Sequence, residues 1–388
     1  MIIDELRIIG STQTNVVMAA ELTRVARRAL GVRPPNPRKE GLGQLVMPFD
    51  RDLAWAAVTY LRTPTRVVWD VYRSRANRLA PLYDELVADV RGDARPLFRD
   101  GDGISVEARR VESFAAGDRQ IVGTVKNALI DGAGRRGLRL HVDPDRAAAR
   151  WVARLDERNE LVVSIDLGGG SLSQRGWRRD TGEAPLREHL AAVLLMLCRF
   201  DPRTEILVDP MCGSGTIPIE ALHAARATPR RTPALAALGM ARPAEPLFPD
   251  AAPLVIGCDL DLDVLAAARD NGRAAGVADQ VVWQRADATT LQPAMIAQIA
   301  AERGYQGTTK TGLLLANPPY GERLDPGDLY ELYSALAQAY RRFPGWRAGF
   351  LVGNPLLEQA FYRELGHPRI KKPLANANLR AYFYLYDL

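Results

Sequence analysis

The sequence predicts an α/β fold, with a doubly wound, mostly parallel sheet over the C-terminal half and an α+β region before it. Three observations carry this. After Pro185, short apolar segments alternate with helical ones, the pattern of strands buried on both faces and joined by crossover helices. A glycine-rich turn, Gly213-Ser214-Gly215, stands between the first of these strands and its helix. Before residue 167, strands and helices mix without that regularity.

Along the chain, Ala20–Leu30 has helical spacing and Gly31 follows it as a stop signal. A basic, proline-rich connection at 34–39 leads to a short strand at Gln44–Pro48. Arg51–Leu61 reads as a helix and Arg66–Tyr72 as a strand. A helix at Pro81–Val90, a strand at Gly103–Arg109, a helix at Arg119–Gly132 and strands at Ala149–Leu155 and Glu160–Asp166 complete the first region. Gly168-Gly169-Gly170-Ser171 is a loop signal, and the interdomain link is expected there. Beyond it strands are expected at Glu205–Asp209, Leu254–Asp259, Gln280–Gln284, Gly312–Asn317, Ala348–Val352 and Arg380–Tyr386. Helices fall near Ile217–Ala227, Leu262–Ala275, Asp328–Arg342 and Pro355–Leu365. Residues 226–252 break the alternation with 5 prolines and 8 alanines in 27 residues and read as an insertion.

At 388 residues the chain should hold two or three domains, since domains run to roughly 100–200 residues. With 47% hydrophobic and 25% charged residues it has ample material for cores, which excludes wholesale disorder. The longest apolar run, Leu190–Cys198, is about half of a membrane span. Met1–Glu5 has neither the basic start nor the apolar stretch of a signal peptide, so a cytoplasmic location is expected. Cys198, Cys212 and Cys258 have unrelated spacings and suggest neither a disulfide framework nor a metal site. The net charge of +5 divides unevenly: residues 1–180 carry 30 basic and 24 acidic residues (+6), and residues 181–388 carry 21 and 22 (−1). A polyanion, nucleic acid first, would therefore dock on the N-terminal part.

Four motifs carry chemistry. Asp209-Pro210-Met211-Cys212-Gly213-Ser214-Gly215-Thr216 ends the first parallel strand and opens a helix, where ligands of open α/β sheets lie. It lacks the Lys-Ser/Thr of a P-loop and the third glycine of the dinucleotide fingerprint. Asp209 before the glycines would repel phosphate and suits a cationic ligand. Asp259, with Leu260 after it, tips the second strand and could accept both hydroxyls of a ribose. It lies 50 residues after Asp209, and removing the 27-residue insertion leaves 23, near the usual offset of about 20. Asp261 fits the following helix N-cap better than Asp259 does. Asp287, followed by Ala288, ends the third strand and could receive an adenine amino group or cap a turn. Together the three acids describe a site for a nucleoside that carries a positive centre and no phosphate. Asn317-Pro318-Pro319-Tyr320 after the fourth strand is the most specific signal. Two prolines lock the backbone, so the Asn317 side-chain oxygen and the Pro318 carbonyl become fixed acceptors for an exocyclic –NH₂. Tyr320 offers a stacking face.

Asp209–Thr216 with Asn317–Tyr320 resembles the S-adenosylmethionine-dependent amino-methyltransferases. The longer stretches Asp209–Ala221 and Asn317–Arg323 are similar to the THUMP-containing methylases of the guanine 2-amino group in ribosomal or transfer RNA, and Gln174–Arg178 and Gly182–Ala192 agree. Upstream, Tyr60–Val67 looks like that family's ferredoxin-like part, and Val125–Ile130 with Val142–Asp145 like its THUMP part. The resemblance implies a ferredoxin-like domain at 1–72, a THUMP RNA-binding domain at 73–166, a linker at 167–183 and a Rossmann-like, seven-stranded methyltransferase domain at 184–388. It implies S-adenosyl-L-methionine as cofactor, held by Asp209, Met211, Cys212, Gly213, Ser214, Gly215, Thr216, Asp259, Leu260, Asp287 and Ala288. Asn317, Pro318, Pro319 and Tyr320 would be catalytic, and no metal is expected. RNA is the expected partner, ribosomal before transfer RNA, with Lys126, Arg175, Trp177, Arg178, Arg187 and Arg323 as contacts. Adenine remains open beside guanine, and a catalytically silent RNA-binding protein is the alternative outside enzymes.

Overall fold

The computed structural model describes residues 1–145, 147, 149–178, 186–203, 205–230, 232–321, 325–376 and 379–388. The chain divides into two compact units. The first takes Met1–Gly10, Thr14–Leu172 and Pro229–Glu245, and the second Ser11–Gln13, Ser173–Thr228 and Pro246–Leu388.

In chain order the first unit contains β1 (Ile2–Ile9), α1 (Asn15–Leu30), β2 (Arg38–Glu40), β3 (Gln44–Pro48), α2 (Arg51–Tyr60), β4 (Arg66–Ser74), α3 (Leu79–Gly92), β5 (Gly103–Arg109), α4 (Asp118–Gly134), β6 (His141–Val142), β7 (Ala149–Leu155) and β8 (Leu161–Asp166). One eight-stranded sheet, ordered β2-β3-β1-β4-β8-β7-β5-β6, runs through it and spans the position, residue 72, where two domains are expected from the sequence. Gly31 ends α1 in the left-handed conformation (φ +70°), as its stop signal predicts. Asp50 caps α2 by accepting the Leu53 N–H at 2.7 Å.

Strand β1 escapes the sequence reading because Arg7 interrupts its apolar pattern, yet Arg7 is fully buried. Its Nε donates to Asp70 Oδ2 at 2.8 Å and its Nη1 to Gln44 Oε1 at 2.8 Å. Arg154 Nη2 and Ser164 Oγ also donate to the Asp70 carboxylate, at 2.8 and 2.6 Å, so strands β1, β4, β7 and β8 share one buried charge cluster. Burial pushes the Asp70 carboxyl up, but the Arg154 and Arg7 guanidiniums and the Ser164 hydroxyl outweigh it and hold the group below its usual range. Removing one partner from such a cluster strands the others without compensation. Asp70→Asn is therefore expected to cost about 3–5 kcal/mol in urea unfolding. Because the folded-state pKa is depressed, the Asp70 contribution is complete above the ordinary carboxylate range and is lost as pH falls through the folded value. The variant should accordingly lose less stability on acidification than the parent; an unchanged acid profile would contradict the assignment.

The second unit begins with α5 (Glu188–Leu197), the longest apolar run, which is folded as a buried helix. There follow β9 (Ile206–Asp209), α6 (Thr216–Arg226), α7 (Pro233–Ala237, a member of the first unit), β10 (Val255–Asp259), α8 (Leu262–Ala274), β11 (Val281–Arg285), α9 (Pro293–Glu302), β12 (Gly312–Ala316), α10 (Pro326–Tyr340), β13 (Arg347–Val352), α11 (Leu356–Leu365), β14 (Ile370–Asn376) and β15 (Leu379–Asp387). The sheet has seven strands in the order β11-β10-β9-β12-β13-β15-β14. The first five are parallel, and β15 is antiparallel to both β13 and β14. This is the doubly wound sheet expected, with β14, α5 and α9 beyond the elements read from the sequence.

Alternate residues of each strand serve opposite faces. Ile206, Val208, Ile256, Cys258, Leu314, Ala316, Ala348 and Phe350 turn to one face and join Ile299 of α9, Leu336 and Tyr340 of α10 and Phe361 of α11 in one core. Each fully buried leucine- or phenylalanine-sized side chain there contributes about 1.5–3 kcal/mol.

The stretch read as an insertion is mostly part of the first unit. Arg230 Nη2 donates to the Val58 carbonyl at 3.0 Å, and the Tyr60 hydroxyl donates to the Glu245 carbonyl at 3.0 Å. Arg51 Nη2 donates to the Gly239 carbonyl at 3.0 Å, and the Arg242 guanidinium lies 4.4 Å from the centre of the Trp55 ring. Residues 229–245 thus cover α2, whose Leu53–Tyr60 are all buried.

Candidate active site

Asp259, Asp209 and Asn317 end or follow the adjacent parallel strands β10, β9 and β12, and Asp287 follows β11 beside β10. Neighbouring strands are about 4.8 Å apart, so the four side chains that the sequence places on separate motifs form one row along the carboxyl edge. The sheet order reverses between β9 and β12, where Asp209 and Asn317 flank the switch point at which open α/β sheets bind ligands.

The glycine loop is built by local constraint. Gly213 (φ +52°) and Gly215 (φ +83°) adopt left-handed backbone, which a side chain would strain. The Cys212 N–H donates to the Cys258 carbonyl at 2.7 Å, and the Gly213 N–H to Asp259 Oδ2 at 3.0 Å, which ties the loop to the tip of β10. Trp283 of β11 lies beneath it. A Cβ at Gly215 would come within 2.7 Å of the Trp283 ring and one at Gly257 within 2.9 Å. Both glycines are therefore needed for the approach of this indole, and Gly215 serves the turn as well. Asn271 is fully buried and donates through Nδ2 to the Ser214 carbonyl at 3.0 Å. The sequence reading missed Trp283 and Asn271. A bulky aromatic residue on the strand beside Gly257 is the signal for Trp283, and Asn271 leaves none.

Asp209 is only 1% exposed, and its carboxylate accepts just the Met211 N–H, at 3.2 Å, among the described residues. Burial, with Asp259 adding repulsion, raises its pKa well above the usual carboxylate range. A buried acid with no cation beside it is what a cationic ligand group would compensate. Asp259 also accepts the Asp261 N–H through Oδ1 at 3.2 Å, while Asp261 itself caps α8 through the Asp263 and Val264 N–H groups, as expected. Asp287 Oδ1 accepts the N–H and hydroxyl of Thr289 at 2.8 and 2.7 Å and so caps a turn. Its other oxygen has no partner among the described residues. Leu260 is exposed, Ala288 is buried, and Met211 packs against the core.

After β12, Pro318 is buried and Pro319 exposed. The Tyr320 hydroxyl donates to Asn317 Oδ1 at 2.8 Å, the Tyr333 hydroxyl to the Pro319 carbonyl at 2.6 Å, and Asn354 Nδ2 to the Tyr320 carbonyl at 3.2 Å. One bond within the loop and two from outside it, from Tyr333 of α10 and from Asn354 after β13, hold it in place. An amide oxygen has two lone pairs, so Tyr320 fixes which way the Asn317 oxygen points and leaves one pair for a ligand.

The surface contacts expected of 175–178 are not where these side chains lie. Arg175 is 2% exposed and paired with buried Glu220 at 3.2 Å, and Trp177 is buried. Arg178 donates to Ser214 Oγ at 3.3 Å and Thr216 Oγ1 at 2.9 Å, and it pairs with Glu188 at 3.2 Å. Arg178 thus braces the glycine loop, while Arg175 is tied to α6 through Glu220. Arg187 is exposed at the start of α5, and Lys126 is half-buried on α4. Arg323 lies outside the described residues. Among the described residues no three His, Cys, Asp or Glu side chains are grouped as metal ligands, and no helix is long and apolar enough to cross a membrane.

The chain is similar to known proteins by sequence and by fold. The ribosomal RNA large subunit methyltransferase K/L of Aeromonas hydrophila subsp. hydrophila is 36% identical over 266 residues, covering 60% of this chain and 35% of that protein. The protein of the same name from Chromohalobacter salexigens is 33% identical over 353 residues, covering 82% and 44%. The chain thus spans less than half the length of these curated relatives. Among solved structures, SMU.472 in complex with SAH aligns at TM-score 0.75 with 23% identity, covering 99% of this chain and 98% of that one. TrmN from Thermus thermophilus aligns at 0.69 with 21% identity, covering 99% of each. At such identities these two show the shared fold. The family described as RMKL-like, methyltransferase domain, matches residues 175–379, a span that holds the glycine loop, the three acids and Asn317–Tyr320. With just over half of its length inside that match, the chain belongs to the RMKL-like methyltransferase-domain family.

Proposed function

We propose that this chain methylates the exocyclic 2-amino group of a guanine in large-subunit ribosomal RNA, with S-adenosyl-L-methionine as donor. The observation that carries the reading is the adjacency of two groups at the switch point: a buried, uncompensated Asp209 and a rigid Asn317–Pro318 acceptor pair. When bound, S-adenosylmethionine supplies a methyl group already activated by its positive sulfur. Asp209 offers a negative partner for the ligand's ammonium, Asp259 an acceptor for ribose hydroxyls and Asp287 an acceptor for an amino group. Gly213 and Gly215 let the ligand approach the backbone closely. At β12 the Asn317 oxygen and Pro318 carbonyl accept the two hydrogens of the target amine. An aromatic amine is a poor nucleophile because its lone pair is spread into the ring; two such hydrogen bonds favour a pyramidal nitrogen and aim that lone pair at the methyl group. A ring nitrogen such as guanine N7 brings no hydrogen to this pair of acceptors and would meet two lone pairs, which favours the exocyclic amine. The target base must leave its stack to enter the cleft.

Ribosomal RNA as substrate rests on the names carried by the K/L relatives. RNA holding is assigned to the region before residue 180, where the chain's positive excess lies, and the site of action is the cytoplasm. The test is incubation with unmodified large-subunit RNA and isotope-labelled S-adenosylmethionine, followed by digestion and mass analysis of nucleosides. N2-methylguanosine is expected. Label on adenine or on guanine N7 instead would overturn the guanine-amine reading.

A further inference from the structure

The amino ends of the parallel strands carry a concave site, at the opposite edge of the sheet from Asp209 and Asn317. A cavity of about 560 Å³ opens there, among the residues that lead into β9, β10 and β12. Leu222, Leu254 and Tyr305 contribute apolar and aromatic surface, and Arg203, Arg226 and Arg303 line it with positive charge. The volume lies within the range of about 300–1,000 Å³ of small-ligand sites.

The three guanidiniums are not equivalent. Arg203 is exposed and neutralised by Asp201 at 3.1 Å. Arg226 donates only its Nε, to the Ala251 carbonyl at 3.0 Å, and Arg303 donates only Nη1, to the Asp279 carbonyl at 3.5 Å. Neither of these two has a carboxylate partner among the described residues. Both keep free N–H groups, and guanidinium forks match the oxygens of a phosphate. The two edges of the sheet thus differ in sign: acids for a cation at the carboxyl edge, unpaired arginines at the amino edge. At about 3.3 Å per residue, strands of 4 and 5 residues separate them by roughly 15 Å.

We propose that this cavity is a phosphate-binding site, distinct from the methyl-transfer cleft. The phosphates belong either to the backbone of a bound RNA, which rests on the substrate reading above, or to a free nucleotide, which does not. The test uses the full chain and the double variant Arg226→Gln/Arg303→Gln. A control, Arg341→Gln/Arg369→Gln, removes the same charge from arginines paired with Glu364 and Asp387 elsewhere in the second unit. Affinity for an unmodified large-subunit RNA fragment is measured against potassium chloride concentration, and binding of ATP and of inorganic pyrophosphate by calorimetry. If the RNA backbone is the ligand, the double variant loses about one to two from the slope of log K against log salt, since each phosphate contact is worth about 0.7–0.9. The control then keeps the parental slope. If the source is a free nucleotide, ATP or pyrophosphate binds the parent and the control but not the double variant. The proposal is overturned if neither phosphate compound binds the parent and the double variant's salt slope equals that of the parent or of the control. S-adenosylmethionine affinity, unchanged in every variant, certifies the fold; RNA failing to bind even the parent would refute the substrate reading and leave the calorimetry to decide this one.

Discussion

Asn317→Ala is expected to lower kcat by about 100- to 1,000-fold, the loss seen when one preorganised polar group facing a transition state is removed. Affinity for S-adenosylmethionine should stay within about twofold, because the groups expected to hold the cofactor lie on β9, β10 and β11 rather than on β12. The reason for so large an effect is preorganisation. The Asn317 oxygen is aimed by the Tyr320 hydroxyl, and its loop is held by Tyr333 and Asn354, so no reorganisation remains for the moment of reaction. Single-turnover kinetics with saturating cofactor give the chemical step directly. A variant that kept near-parental turnover would remove Asn317 from the reaction.

Asp209→Asn should act in opposite directions on stability and on binding. In the ligand-free protein the folded-state pKa of Asp209 is raised, chiefly by burial and further by Asp259. Its contribution to stability is therefore present below the ordinary carboxylate pKa and is lost as pH rises through the folded value. The amide escapes that loss, so the variant should melt higher than the parent near neutral pH when both are ligand-free. Cofactor binding should weaken by about 1.5–3 kcal/mol, roughly 10- to 150-fold, the worth of a hydrogen bond to a charged group. Because a bound cation favours the ionised carboxyl, binding to the parent should release protons and weaken as pH falls; binding to the variant should lack this linkage. Calorimetry in buffers of different ionisation heat measures the release directly. Equal proton release by parent and variant would place the ammonium elsewhere.

The sequence made the second unit legible because its strands are short apolar runs closed by motifs at their tips. Asp209, Asp259, Asp287 and Asn317 stand in the structure on adjacent strand ends. What the sequence hid were residues whose role exists only in three dimensions. Gly215 read as backbone freedom and Gly257 as part of a strand, and only their common neighbour Trp283 shows that both make room for an indole. Arg175 and Arg178 read as a basic surface run because charge in a sequence carries no mark of burial; Glu220, Ser214 and Thr216 supply that mark. Strand β1 was lost for the same reason, since Arg7 breaks its period and is nevertheless in the core. Residues 226–252 were visible as an interruption, but composition could not say which unit would receive them.

The placement of residues 229–245 also bears on how the protein is made. Domains generally fold as units while the chain emerges from the ribosome, the N-terminal one first. Here the first unit cannot complete its cover over Trp55 and Tyr60 until Arg242 and Glu245 have been synthesised, after β9 and α6 of the second unit. Its last piece arrives after the first pieces of its neighbour. Until then α2 has an uncovered apolar surface on the nascent chain, and a translational pause just before residue 229 would prolong that exposure.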